Sequence, residues 1–431
     1  MASLSEIERK RSSLSERKRE ILEKRLQGAA AGACVSDKLP DAGNDLKAEM
    51  AKFEPLCPMP LSWEDLRLAC REQAAHPPED LDVAEARKVA MQADRSALAC
   101  ACIALDAIGL FKRPGEAHTV DDIVANCGIL PSYRKLMARW MGELSDAHLL
   151  NREQDQFVSV VPLVNQISAG EWPEFQGLAD KATVEIPAIL TGKKHTVELI
   201  FSMGSAKTVE RAYEATASSR YFNSVVASAF RALVGTLPLG RPLRILEVGA
   251  GVGGTTSSVL PLLPPDRSFY AFTDLSQYFL GRAKLKYQSY PFISYGILDI
   301  NVQPEEYGFI PRAFDVVLAA NVLHCARFLG ATLQHMCRLL TGSGLLILIE
   351  YTENRVAHIV LPGLLEGFSH FEDERLKTGK PLLSSAEWFR VLRANGFEKY
   401  ACFPEQGGPL DVLGEHVIIG SPANVQEFRN R

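Results

Sequence analysis

The chain has no surplus of positive charge. Its 47 Lys and Arg stand against 52 Asp and Glu, a formal net charge of −5. A dedicated nucleic-acid binder usually carries a basic face, so this balance argues against that class without excluding a local basic patch. No run of about 18 apolar residues is present, and no membrane span is expected. The opening residues are polar and charged, without the apolar stretch of a secretory signal. No C-x-x-C pair occurs, and the nine cysteines are an odd number. That pattern argues against zinc and disulfide frameworks and for buried free thiols in a reducing compartment, hence a cytoplasmic location. What remains is ordinary for a globular protein, at 47% hydrophobic and 23% charged residues. With 431 residues, two domains are the natural expectation.

Texture along the chain divides it into three parts. Residues 5–27 are dense in Glu, Lys and Arg with Ile7, Leu14, Ile21, Leu22 and Leu26 interspersed, and read as a short amphipathic helix. Residues 29–60 are rich in Ala, Gly, Pro and Asp and read as linker, so 1–60 is a charged helix plus linker. From 61 to 240 the helical period dominates, with helices expected over Ala84–Phe111, Val120–Cys127 and Ser132–Leu150. Asn151–Gln156 reads as a turn and Phe157–Val161 as a short strand. Helix, helix and short strand also describe a winged helix, but the acidic balance favours a lid that shapes a substrate pocket. From 241 to 431 strands and helices alternate. Strands are expected at Arg244–Val248, Ser268–Thr273, Phe292–Leu298, Phe314–Ala319, Leu345–Glu350 and Glu415–Ile419. Such βα units imply an α/β fold with a doubly wound parallel sheet, which binds ligands at the carboxyl ends of its strands.

The first of these strands runs into Leu246-Glu247-Val248-Gly249-Ala250-Gly251-Val252-Gly253-Gly254. Glycines let the backbone turn sharply and approach a ligand. A dinucleotide fingerprint is formally satisfied here, so the glycines alone do not decide the ligand. The acids do. Glu247 precedes the turn, where a carboxylate suits a cationic ligand and repels a pyrophosphate. Asp274, 27 residues on, ends the second strand and can accept two ribose hydroxyls. Asp299 ends the third, placed for an adenine amino group, with Ile300 to pack on the ring. A ligand with an ammonium, a sulfonium, a ribose and an adenine is S-adenosylmethionine (SAM). Ala250, Leu275 and Asn321 complete the expected cofactor contacts.

The strings ILEVGAGVGGTT, FTDLS, YPFISYGILDI, FDVVLAANVLHC, LLTGSGLLILIE and GKPLLSSAEW closely resemble one family. They look like the C-methyltransferase domain of polyketide synthases and mixed polyketide/peptide synthases, over about residues 195–400. The pairing of NVLH with LLSSAEW is the most specific part. LSERKREILEKRLQG also resembles a linker found at module boundaries of such synthases. The resemblance implies a class I (Rossmann-like) methyltransferase core with an N-terminal helical lid. It implies methylation of the α-carbon of a β-ketoacyl or malonyl-type thioester. The thioester would sit on the phosphopantetheine arm of an acyl carrier protein, with other synthase domains as partners and neither nucleic acid nor membrane.

The resemblance also places the base at His324 and an orienting acid at Glu350. Histidine titrates nearest neutrality and suits removal of a proton lying between two carbonyls. Tyr221, with Asn223 nearby, and Phe368 and His370 are the expected substrate contacts. His324, His358 and His370 are an alternative metal set, but their spacing matches no ligand pattern, and no metal is assigned. An O- or N-methyltransferase uses the same fold and loop, and a silent scaffold domain is a third reading. Intact Gly249, Gly251, Asp274, Asp299 and His324 argue against the scaffold.

Overall fold

The computed structural model describes residues 44–54, 56–166, 175–194, 213–360 and 362–423. The helix expected within 5–27 lies outside them. Part of the expected linker is helical: α1 spans Asn44–Met50. Leu46 and Met50, four apart and so on one face, are both buried. Leu46 lies so close over Gly296 that a Cβ there would meet its Cδ2 at 2.6 Å. Two apolar residues are too short a pattern to stand out in sequence.

Helix α2 (Trp63–Ala74) starts at Ser62, whose hydroxyl accepts from the Asp65 N–H. Helix α3 (Val83–Ala107) starts at Asp82, which accepts from Ala84 and Glu85. Such caps satisfy N–H groups that have no partner within the helix. Strand β1 (Ala117–Thr119) leads into α4 (Val120–Asn126), closed by a Thr119/Asp122 capping box. Helix α5 (Arg134–Asp146) is followed by the hairpin β2 (Asn151–Glu153) and β3 (Gln156–Val158). β3 is shorter than the strand expected at Phe157–Val161, and β2 occupies residues expected as turn. Strand β3 lies between β1 and β2. Helix α6 (Phe175–Leu190) completes this layer. Its core joins Leu105, Phe111, Met137, Trp140 and Ile189 to Val360 and Leu364 from much later in the chain.

Helix α7 (Ala217–Thr236) belongs elsewhere. Tyr221, Phe222, Val226 and Phe230 pack with Leu66 and Cys70 of α2 and with the sheet. The expected boundary at 240/241 therefore does not separate two cores. The lid core begins near Ala97, while α2 and α7 cover one face of the sheet.

The sheet comprises β4 (Leu243–Val248), β5 (Ser268–Asp274), β6 (Ile293–Ile297), β7 (Phe314–Ala320), β8 (Leu340–Tyr351), β9 (Phe397–Phe403) and β10 (Glu415–Pro422). Helices α8 (Gly254–Val259), α9 (Gln277–Lys286), α10 (Leu329–Leu339), α11 (Val356–Val360) and α12 (Ser385–Ala394) lie between them. The strand order is β6-β5-β4-β7-β8-β10-β9. The first five are parallel, and β10 enters antiparallel between β8 and β9. Alternation sends Leu243 and Ile245 to one face and Leu246 and Val248 to the other, so both faces are buried. Gly342 and Gly344 fall within β8, whose pairing with β7 slips between Phe314 and Val316. β9 was not expected: FEKYACF carries charges on an edge strand and lacks the apolar run of its neighbours.

Reversal of strand order between β4 and β7 opens a crevice at the carboxyl ends, and β10 brings its first residue to the same rim. A separate cavity of ≈ 180 Å³, lined by Met59, Trp63, Leu233, Ser343 and Lys399, lies at the opposite ends of the strands. It shares no residue with the rim.

Candidate active site

The turn after β4 is held by its own glycines. Gly249 has φ 61, and a Cβ there would meet Val322 Cγ2 at 2.3 Å. Only glycine lets the turns after β4 and β7 approach so closely. Gly251, φ 54, faces open space, with only the Gly249 carbonyl, 3.9 Å away, near a built Cβ. Its N–H donates to Asp274 Oδ2 at 2.8 Å, and Ser276 N–H donates to Oδ1 at 2.7 Å. Burial pushes the Asp274 carboxyl up, opposed by these two amides. The Ala250 N–H is held by the Thr273 carbonyl at 2.9 Å.

Glu247 is placed differently from the expectation. Its carboxylate is buried under the turn and accepts from Thr256 Oγ1 at 2.5 Å and Tyr270 OH at 2.7 Å. It ties α8 and β5 to β4. Burial pushes its carboxyl up to about 7, against the pull of the two hydroxyls. Asp299 is half-buried and accepts from Asn301 N at 2.9 Å. Leu275 is 47% exposed beside Asp274. Ile300 is buried in the core beneath, and its carbonyl takes the Thr332 hydroxyl at 3.0 Å.

His324 lies in a one-turn helix, Leu323–Cys325, just past β7. Glu350 is near the end of the neighbouring β8. The imidazole Nδ1 is 2.7 Å from Glu350 Oε2, and both side chains are buried. Glu350 Oε1 accepts the Leu323 N–H at 2.8 Å. A carboxylate only accepts, so it holds the ring hydrogen on Nδ1 and leaves Nε2 as the basic nitrogen. Burial disfavours the imidazolium, but the Cys325 side chain and the Glu350 charge overcome this and hold His324 well above its ordinary range. Phe368 packs on the imidazole with ring centroids 4.6 Å apart. Arg375, buried, donates to the His324 carbonyl at 2.7 Å and to the Ala326 carbonyl, and pairs with Asp373 at 2.8 Å.

Of the expected contacts, Tyr221 is corrected. Tyr221 is fully buried in the α2–α7 interface, its hydroxyl donating to the Ala74 carbonyl at 3.0 Å. It is a packing residue because its face of α7 points inward. His370 is exposed, one residue beyond the buried Phe368 and Ser369. Asn321 is a bracket: its N–H donates to Ile349 O, its Nδ2 donates to Glu415 Oε1 at 2.7 Å, and its Oδ1 accepts from Tyr351 N at 3.3 Å. Its φ of 54 turns the chain sharply towards His324. Among the described residues no group of three or more His, Cys, Asp or Glu is placed to hold a metal ion. His358 packs on Tyr351, ring centroids 4.3 Å apart. Sequence reasoning missed Arg375, Tyr213 and Glu415. Tyr213 backs Gly254 at the start of α8, and Asn223 Nδ2 holds its carbonyl at 3.1 Å. A charged residue opening an apolar strand carries no sequence signal of its own.

A Gly-rich turn, an acid at the end of the next strand and a buried His–Glu pair thus share one rim. The chain is also similar to known proteins. A methyltransferase-domain family matches residues 246–346. Polyketide synthase ThaQ of Burkholderia thailandensis is 32% identical over 339 residues, covering 73% of this chain and 16% of that protein. The CurJ carbon methyltransferase structure is 30% identical with TM-score 0.74, covering 85% of this chain and 100% of that one. The trans-methyltransferase CalH, in complex with SAH, is 25% identical with TM-score 0.57, covering 81% and 93%. Fold and site define a class I, SAM-dependent methyltransferase. Within that class the chain belongs to the carbon-methyltransferase domains of polyketide synthases. It spans about a sixth of the ThaQ protein it matches.

Proposed function

We propose that this domain methylates the α-carbon of a β-ketoacyl or malonyl-type thioester carried on the phosphopantetheine arm of an acyl carrier protein. The observation that carries the reading is the buried His324–Glu350 pair, 2.7 Å apart, at the ends of adjacent strands beside the Gly249 turn. An α-carbon between two carbonyls needs a base of moderate strength. His324 offers Nε2 as that base, and Glu350 fixes the tautomer and balances the imidazolium that forms. Phe368 shields the pair from water.

In this reading the cofactor lies over the Gly249–Gly251 turn, Asp274 takes its ribose and Asp299 its adenine edge. Bound there, SAM supplies an electrophilic methyl group. The chain's own work is then to hold the thioester in line and to remove one proton. The unpaired cysteines suit a reducing, cytoplasmic setting, with other synthase domains as neighbours.

Intact-protein mass spectrometry tests the reading. Malonyl-, acetoacetyl- and longer β-ketoacyl carrier proteins are incubated with the chain and SAM, with and without iron or manganese. A gain of one or two methyl masses, mapped to the α-carbon, is expected without added metal. No gain on any acyl carrier, with SAM still bound, would move the acceptor to an oxygen of another substrate.

A further inference from the structure

Removing an α-proton leaves negative charge on the neighbouring carbonyl oxygen, and that oxygen needs a donor. We propose that Glu415 supplies it, acting as a neutral carboxylic acid that donates its hydrogen to the acceptor's carbonyl as charge develops there. This rests on the α-carbon reading given above.

Position comes first. Because β10 is antiparallel, its first residue reaches the rim where β7 and β8 end, with Glu415 paired to Tyr351 and His416 to Glu350. Glu415 thus stands one strand from the base. Orientation comes second. Asn321 Nδ2 grips Oε1 at 2.7 Å, and Asn321 is itself fixed by Ile349 and Tyr351. Among the described residues, Asn321 is the hydrogen-bond partner recorded for this carboxyl, and it serves one oxygen. Charge comes third. The groups facing Glu415 are Glu350 and Tyr351 from β8 and Tyr213 from the segment before α7. His324 and Cys325 lie behind Glu350, and Glu353 lies against Gly414. Among the described residues, no lysine or arginine acts on Glu415 to favour its anion. Burial, opposed by Asn321 and reinforced by the Glu350 charge, pushes its carboxyl up to about 7. An acid kept neutral near pH 7 can donate where an ordinary carboxylate cannot.

The steps balance. His324 Nε2 takes the α-proton, and the C–H electron pair passes to the carbonyl oxygen. Glu415 shares its hydrogen with that oxygen and keeps it. The pair returns through the α-carbon to form the new C–C bond, while the C–S bond breaks with its pair to sulfur. His324 then loses its proton to water.

Neutral His324 is favoured as pH rises and protonated Glu415 as pH falls, so the rate against pH should be bell-shaped. The test is single-turnover methylation of acetoacetyl-pantetheine from pH 6 to 9 with saturating SAM, for wild type, Glu415→Gln and Glu415→Ala. The Gln amide can still donate. Glu415→Gln should stay within about tenfold of the wild-type maximum and lose the alkaline fall, while Glu415→Ala should lose about 10²-fold in the maximal single-turnover rate with half-saturation by the acceptor little changed. Unchanged SAM affinity by calorimetry certifies that each variant is folded. A Gln variant as slow as Ala would overturn the inference, because the carboxylate would then be what matters. Wild-type profiles in both variants would overturn it too. A wild type that never methylates the probe overturns the α-carbon reading itself, an outcome distinct from either.

Discussion

At the residue scale, the His324–Glu350 pair is a division of labour fixed by chemistry. Glu350 accepts from both the imidazole and the Leu323 amide, so it orients the ring and the turn that carries it. Replacing His324 by Ala should lower turnover by about 10²–10⁴-fold, the range for a lost general base. SAM affinity should hold, since Glu350, Phe368 and the Cys325 side chain, the groups against the imidazole, lie off the Gly249 turn. Single-turnover rates and calorimetry read the two separately, and a wild-type rate would exclude His324 as base. Glu247 makes a different prediction. Its carboxyl is raised from 4.5 to about 7 in the folded state. Below pH 4.5 both folded and unfolded chains hold the proton. Between there and about 7 the unfolded chain ionises more readily, so stability falls as pH rises, by about 3 kcal/mol at most. Glu247→Gln removes that loss. Urea unfolding at pH 5 and pH 8 should show a smaller difference in the variant, and an equal difference would place the pH dependence elsewhere.

At the scale of elements, the turn after β4 shows what glycine permits. Gly249→Ala adds a methyl 2.3 Å from Val322 Cγ2 and forces a left-handed φ on alanine. The conformational part alone costs about 1–2 kcal/mol. The clash adds more and displaces the β7 turn that leads to His324, so both SAM affinity and turnover should drop. Adding Val322→Ala should recover the steric part and leave the conformational part, and no recovery in the double variant would show that the two turns do not press on each other. The same elements explain what was legible beforehand. β4, β5, β7 and the core of β8 are buried on both faces and read as apolar runs between turn signals. Gly249, Gly251, Asp274 and His324 could be named because they follow those runs immediately. Tyr221 could not be placed, because an aromatic on a helix looks alike whether its face meets a ligand or α2. Asn321 and Glu415 were opaque for a related reason. Their roles arise from pairing across β7, β8 and β10, 94 residues apart in sequence.

At the scale of the molecule, the chain between β8 and α12 joins the lid to the chemistry. It leaves the sheet at Tyr351, contributes Val360 and Leu364 to the lid core, then returns to lay Phe368 on His324. Lid residues hold it along the way. Asp94 pairs with Arg355 at 2.7 Å, and Lys135 Nζ donates to the Phe371 carbonyl at 2.7 Å. Arg139 donates to Phe368 O at 3.1 Å and Ser369 Oγ at 2.7 Å. Lys135, Arg139 and Arg375 stand 5.1, 5.8 and 5.1 Å from the Phe371 ring, so one aromatic gathers three cations. The Gly249 turn draws on none of these groups. Lid damage should therefore reach the acceptor step and spare the cofactor. Arg139→Ala removes two charge-assisted hydrogen bonds from the Phe368 segment, each worth about 1.5–3 kcal/mol. Turnover should fall about tenfold or more, with SAM affinity unchanged. If calorimetry instead finds SAM affinity falling in step with turnover, lid and cofactor turn act as one body. The division into a cofactor side fixed by the sheet and an acceptor side fixed by the lid would then fail.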